Sequence, residues 1–225
     1  MDNMIEIKDL CRSYQMGNGK LDILKGVDFT LEKGKWCCVY GASGSGKTTL
    51  LNLLGALEKP CSGSIVINGF DISRLSRRQA ASFRGKNIGF IFQSYHLINE
   101  LDVLENTAFA GTFGASSSSA RKRAQELLEA VGLGNRLHHR PSELSGGERQ
   151  RCAIARSLMN NPALILADEP TGNLDEATGK EILELFCNLR KNNPALTILM
   201  ITHNPEITSY ADISVKLENG KLRSL

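Results

Sequence analysis

No run of apolar residues in this 225-residue sequence is long enough to cross a bilayer. Near the C-terminal end ALTILMI, residues 195–201, stops far short of the roughly 20 residues a spanning helix needs. The acidic opening MDNMIEIKD lacks the pattern of a signal peptide, so the expectation is a chain that neither crosses nor enters a membrane on its own. Cysteine is present without organisation: the six residues Cys11, Cys37, Cys38, Cys61, Cys152 and Cys187 form no CxxC pair, which excludes the common zinc and dithiol spacings. They read as reduced thiols of a cytosolic protein, with Cys37 and Cys38 pointing to opposite faces of a strand. An excess of one charge is also lacking. With 27 basic and 24 acidic side chains the net charge is +3, too balanced to argue for a nucleic-acid partner. Arg74, Arg77, Arg78 and Arg84 do cluster, but aromatic rings on which bases stack are scarce around them. His138 and His139 adjoin without a third ligand at a metal-binding spacing.

What the chain does have is four short, almost continuously apolar runs: KWCCVY (35–40), NIGFIF (87–92), ALILA (163–167) and LTILMIT (196–202). Such runs fit strands covered on both faces, as in a parallel α/β sheet. Helical patterns lie between them, including TTLLNLLGALE after the first and GKEILELFCNLRK before the last. From residue 4 to residue 31 the sequence alternates and breaks at GNGK and EKGK, which predicts short antiparallel strands. SIVINGFDI and SVKLENGKL predict hairpins that turn at Asn68 and Gly69 and at Asn219 and Gly220. Between residue 93 and about residue 157 the strand signals stop and helical ones take over, notably ARKRAQELLEAVGL and ERQRCAIARSLM. The basic start of the former, Arg121 to Arg123, reads as a solvated face, and the SSSS tract at 116–119 as a loop leading into it. The expectation is one domain over residues 1–225. Residues 1–92 and 158–225 form its α/β core with an N-terminal antiparallel β subdomain, and residues 93–157 an inserted helical subdomain. A chain of this length buries roughly 70% of its unfolded surface and needs no disulfide or metal to hold a core.

GASGSGKT, residues 41–48, follows the first buried run and precedes a helical pattern, which is the setting of a phosphate-binding loop. Gly41, Ala42, Ser43, Gly44, Ser45 and Gly46 let backbone N–H groups turn inward around phosphates, and the helix N-terminus adds partial positive charge. Lys47 is suited to the β and γ phosphates, the Thr48 hydroxyl to Mg²⁺, and Thr49 stands beside it. ALILADEP puts Asp168 at the carboxyl end of a buried strand, where ligands bind in open α/β sheets. Asp168 suits Mg²⁺, and Glu169 is then free to polarise an attacking water. Gln93 follows the strand NIGFIF and His203 follows LTILMIT, so four buried strands each end in a residue useful for ATP hydrolysis. His203 would contact the γ phosphate, and Gln93 would sense Mg²⁺ or water and report it to the helical insert. For Tyr14, read as lying in a loop after the first strand, two readings stand open: stacking on adenine, or packing in the core.

LSGGERQR, residues 144–151, looks like a second phosphate cradle. Ser145 and Glu148 have the spacing of a capping box, which accounts for a helix start. It does not account for Gly146 and Gly147, which weaken a helix unless its backbone must approach something closely. A second cradle facing the chain's own nucleotide would duplicate the first, and one facing a separate nucleotide would lack metal ligands. The remaining option is the nucleotide of another copy. Two chains arranged head to tail would each complete the other's site.

With these residues the chain resembles the ATP-binding subunits of ABC transporters over essentially its whole length. GASGSGKT is similar to Walker A, Gln93 to the Q-loop glutamine, LSGGERQ to the signature, LILADE to Walker B with its catalytic glutamate, NLD at 173–175 to the D-loop, and His203 to the switch histidine. Tyr14 falls where the family has an A-loop aromatic. The resemblance implies a RecA-like P-loop core and a head-to-tail homodimer. ATP, with Mg²⁺, would lie between Walker A of one copy and Ser145, Gly146, Gly147, Glu148 and Asp175 of the other. It further implies integral membrane permease subunits as partners, docked on the helical insert, and a peripheral place at the cytoplasmic face of the inner membrane. DEPTGNLD is characteristic of the group containing LolD, MacB and FtsE. The longer runs resemble LolD most, which implies LolC- and LolE-like partners and release of lipoproteins; MacB-like efflux and FtsE-like roles are the alternatives. Unlike MacB, the chain is expected to carry no fused membrane segment. A soluble ABC ATPase acting on nucleic acid or ribosomes usually contains a long coiled coil or two joined ATPase halves, and neither is visible.

Overall fold

In the computed structural model, which describes residues 2–17, 19–111 and 117–224, the N-terminal alternation gives one long hairpin rather than short strands. Strands β1 (Asn3–Met16) and β2 (Gly19–Glu32) run antiparallel, and four register shifts interrupt their pairing. GNGK lies where β1 gives way to β2 and EKGK ends β2, while Asp9 and Gly26 sit at the irregularities. Asp9 takes a positive φ of 44° and Gly26 one of 69°, so they bend the strands without ending them. The first buried run forms β3 (Trp36–Tyr40) and passes into helix α1 (Lys47–Leu54). Next come β4 (Ser62–Ile67) and β5 (Phe70–Asp71), joined through Asn68 and Gly69 at φ 49° and 82°, the left-handed pair a tight hairpin requires. Together β2, β1, β4 and β5, in that order, make a four-stranded antiparallel sheet.

Helix α2 (Arg77–Asn87), for which the sequence gives no periodic signal, starts from a capping box between Ser76 and Gln79 and leads into β6 (Ile88–Ile91). Helices α3 (Val103–Phe109), α4 (Ser117–Ala130) and α5 (Gly146–Ser157) follow, and no strand occurs among the described residues from 93 to 157. Ser117, Ser118 and Ser119 belong to the first turn of α4, not to a loop; Ser116 lies outside the described residues. The chain returns through β7 (Leu164–Asp168), α6 (Glu176–Asn192), β8 (Thr197–Thr202), β9 (Ile213–Glu218) and β10 (Lys221–Ser224). The second sheet has the order β10-β9-β3-β8-β7-β6. Five of its strands are parallel, and only β10 runs against its neighbour.

Side-chain alternation along β3 divides the core between the two faces of this sheet. Cys37 packs with Leu50 and Leu51 of α1 and with Ile5 and Ile65 of the antiparallel sheet. Cys38 packs on the other face with Ile154 of α5 and Phe186 of α6. All six cysteines are free. The single tryptophan, Trp36, is fully buried with its ring 5.9 Å from Phe186 and 6.5 Å from Tyr210. Truncating a fully buried leucine such as Leu50 or Leu199 would cost about 2–5 kcal/mol. No helix among the described residues is long and apolar enough to cross a membrane.

Candidate functional site

Every parallel strand of the central sheet except β9 ends at one cavity of about 660 Å³. Its floor is the turn between β3 and α1. Gly46, at φ 100°, caps α1 without a side-chain hydrogen bond, so the first helical N–H groups stay open toward the cavity. A Cβ at Gly46 would meet Ile23 Cγ2 at 2.6 Å, so both the dihedral and the packing demand glycine. Lys47 is 6% exposed and spans the loop, its Nζ donating to the carbonyls of Gly41 at 2.8 Å and Ala42 at 2.9 Å. Ser45 Oγ is buried without a hydrogen-bond partner, an orphaned polar atom in the wall of the loop.

Beyond the loop the acids converge. Thr48 Oγ1 donates to Asp168 Oδ2 at a long 3.4 Å. Burial, and then the neighbouring charge of Glu169, push the Asp168 carboxyl above its usual range. A carboxylate so placed gains from a cation. Glu169 adopts a left-handed φ of 45°, an unusual state for a non-glycine residue that costs on the order of 1–3 kcal/mol. It is held there by its N–H donating to Ile201 O at 3.0 Å and its carbonyl accepting from Gly172 N at 2.9 Å. The turned backbone brings Glu169 Oε2 to 2.7 Å from His203 Nδ1, a hydrogen bond in which the ring N–H donates to the carboxylate. Gln93 lies across the cavity, its Nε2 donating to Asn173 Oδ1 at 3.1 Å while Asn173 Nδ2 donates to Gln93 O at 3.0 Å.

The structure therefore brings together Ser43, Gly44, Gly46, Lys47, Thr48, Thr49, Gln93, Asp168, Glu169 and His203. Ile23, which was not singled out in the sequence, joins them from β2, and Asn173, noted there only within the NLD motif, braces Gln93. Asn173 was within reach of sequence reasoning, since it opens the NLD motif. Ile23 has no local mark. The oxygen-only set offered by Thr48 and Asp168 fits Mg²⁺, which is held by one or two carboxylates and otherwise by water and phosphate. Among the described residues no cluster of three His, Cys, Asp or Glu side chains could hold a metal, and His138 instead lies 3.3 Å from Asp102.

Other expected site residues stand elsewhere. Tyr14 is not in a loop: it lies within β1, paired with Leu21, and does not line the cavity. Asp175 caps α6, accepting from Thr178 N at 3.0 Å and Thr178 Oγ1 at 2.7 Å, and faces a separate cleft beside the 3-10 helix Pro205–Tyr210. Ser145, Gly146, Gly147 and Glu148 are also outside the cavity, at the start of α5. Their capping box is complete: Glu148 N donates to Ser145 Oγ at 3.2 Å and Ser145 N donates to Glu148 Oε2 at 2.8 Å. That backbone bond from Ser145, aided by Arg136, holds the Glu148 carboxyl below its usual value. The two glycines have a cause within the chain. A Cβ at Gly147 would lie 2.6 Å from Thr178 Cγ2, and one at Gly146 would lie 3.1 Å from Leu174 Cδ2. The close approach that the sequence reading asked for is thus met within the chain, by Thr178 of α6 and by Leu174 just before it.

The family profile described as ABC transporter matches residues 24–172. A Thermotoga maritima protein described as an uncharacterized ABC transporter ATP-binding protein is 45% identical, the alignment covering 100% of this chain and 96% of that protein. The lipoprotein-releasing system ATP-binding protein LolD of Geobacter metallireducens is 44% identical, with 99% of each chain covered. The macrolide export ATP-binding/permease protein MacB of Wolinella succinogenes is also 44% identical; there 97% of this chain spans 34% of the relative. Among solved structures, a dimeric post-hydrolysis state of an ATP-binding cassette bound to ADP and Pi superposes with a TM-score of 0.89 at 35% identity, covering 99% of both chains.

Proposed function

Because the chain belongs to the ABC transporter family and is an ATPase of that type, we propose that it hydrolyses ATP as one half of a head-to-tail homodimer that drives a membrane permease. One observation carries this reading: Lys47, Gln93, Asp168, Glu169 and His203 share a cavity from which the second cradle at Ser145 is absent. The chain then holds two halves of a site that do not meet. A neighbouring copy supplies the missing half.

In this reading the open N–H groups of α1 and Lys47, released from the Gly41 and Ala42 carbonyls, hold the phosphates. Thr48 and Asp168, with Gln93, would hold Mg²⁺, which when bound neutralises charge on the phosphate oxygens. Water attacks the γ phosphorus in line as the bond to the β-phosphate oxygen breaks, giving ADP and phosphate. Glu169 takes the proton of that water. Its Oε2 is engaged by His203, which leaves Oε1 for the transfer and aims the carboxylate. The His203 Nε2 is the atom that meets the γ phosphate. Tyr14 serves as the platform for the nucleobase, and Ser145, Gly146, Gly147, Glu148 and Asp175 act on the nucleotide of the partner copy.

The transported cargo is read as lipoprotein, released by a LolC- and LolE-like permease at the inner membrane. The long match to LolD and the runs around DEPTGNLD support this. MacB-named relatives of equal identity favour a second reading, macrolide-type efflux. Membrane proteins that co-purify with the chain decide between the two. The ATPase assignment itself is tested with Glu169→Gln. This variant is expected to bind ATP, accumulate as a closed dimer and lose about 10²- to 10⁴-fold in single-turnover hydrolysis. Turnover near the parental rate would remove Glu169 from the role of base.

A further inference from the structure

Glu58 follows α1 in an irregular stretch and belongs to none of the motifs above, yet its carboxylate is fully engaged. Oε2 accepts from the Tyr14 hydroxyl at 2.6 Å and from Arg12 Nη2 at 2.7 Å, while Oε1 accepts from Asn52 Nδ2 at 3.0 Å. Arg12 also donates Nη1 to Lys59 O at 3.0 Å and sets its guanidinium 4.5 Å from the centroid of the Tyr14 ring. Partial burial pushes the Glu58 carboxyl up, but hydrogen bonds from Tyr14 and Asn52 and the charge of Arg12 outweigh it and leave the group below its ordinary value. It is an ionised hub.

The groups it joins come from different parts of the fold. Arg12 and Tyr14 stand on β1 of the antiparallel sheet, whereas Asn52 stands on α1, one turn past Thr48. A tyrosine side chain has two rotatable angles that set its ring plane. The hydroxyl bond pins the far end, and the guanidinium covers one face. Only the opposite face is left for a flat ligand. Because the same carboxylate is bonded to α1, the ring is indexed to the helix whose N-terminus forms the phosphate loop.

We propose that Glu58 is a positioning residue that holds Tyr14 in place as the nucleobase platform, at a set distance from the phosphate loop. The inference rests on the reading of Tyr14 under the proposed function. A ring ordered before the ligand arrives spares its immobilisation on binding, which is worth about threefold to tenfold in affinity. This benefit applies only to ligands that carry a base. A mere brace between β1 and α1 would show no such dependence.

The test is calorimetric titration of the full chain with ADP and, separately, with inorganic pyrophosphate. Glu58→Gln is expected to weaken ADP about threefold to tenfold and leave pyrophosphate unchanged, and to raise the KM for ATP with little change in kcat. Tyr14→Phe, which removes only the hydroxyl and spares the Arg12 ion pair, should give a similar loss, and the double variant should lose no more than either single one. Tyr14→Ala calibrates the platform itself, with a loss of about 5- to 100-fold for ADP alone. If Glu58→Gln weakens ADP and pyrophosphate in parallel, Glu58 braces the phosphate loop and the proposal is overturned. If Tyr14→Ala weakens ADP while Glu58→Gln and Tyr14→Phe do not, the platform stands and the positioning role falls. An unchanged ADP affinity in Tyr14→Ala removes both.

Discussion

Asp168 is held where a carboxylate is costly to ionise, in a part-buried strand end beside a second acid. An acid whose folded value lies above its unfolded one binds more protons folded than unfolded across that interval, so stability falls as pH climbs through it. Asp168→Asn is therefore expected to melt above the parent near neutral pH, and the gap should narrow as pH falls through the raised folded value and close below about 3.9, the unfolded value, beneath which the acid is protonated in both states. Melting curves over a pH series check this; a gap independent of pH would show that Asp168 is not the strained group. The same residues show what is legible in sequence. Gln93, Asp168, Glu169 and His203 stand at or just past the ends of buried strands, so place in the chain dictates place at the sheet's edge. Tyr14 and Ile23 are less legible, because their surroundings are made by pairing across a bulged hairpin and by contacts with residues such as Glu58, 44 positions away. No local pattern encodes those meetings.

Among the elements, four of the five parallel strands are readable from continuous apolar runs, β9 only from its hairpin turn, and α2 not at all. In α2 only Ala80 and Phe83 are buried, too few for a stripe, and its real signal is the cap at Ser76. The start of α5 carries a more specific lesson. Its glycine pair reads as ligand chemistry in sequence, but the first turn of α5 presses on α6 through Gly147 and Thr178. An alanine at position 147 gains about 1 kcal/mol of helix propensity, and overpacking against a methyl 2.6 Å away costs about 1–3 kcal/mol, so the clash wins. Gly147→Ala should lower the urea midpoint. Gly147→Ala combined with Thr178→Ser, which deletes the offending methyl and keeps the hydroxyl bonded to Asp175, should match or exceed the parent. If the single variant is as stable as the parent, the two helices do not pack as described.

For the whole molecule, the question is whether one chain suffices. The Ser145 turn caps α5 and does not line the cavity of its own chain's phosphate loop. A Lys47→Ala chain and a Ser145→Arg chain should each be inactive, yet regain hydrolysis when mixed, since the mixed pair contains one site with both halves intact. Mixtures as silent as their components would place the Ser145 turn in its own chain's site. Such experiments need a way to tell lost chemistry from lost structure. Trp36 supplies one: as the sole tryptophan, at the root of the strand that delivers the phosphate loop, it is shut away from solvent between Phe186 and Tyr210. Its emission is a built-in optical gauge of the intact interior, blind to aqueous quenchers until the sheet itself opens.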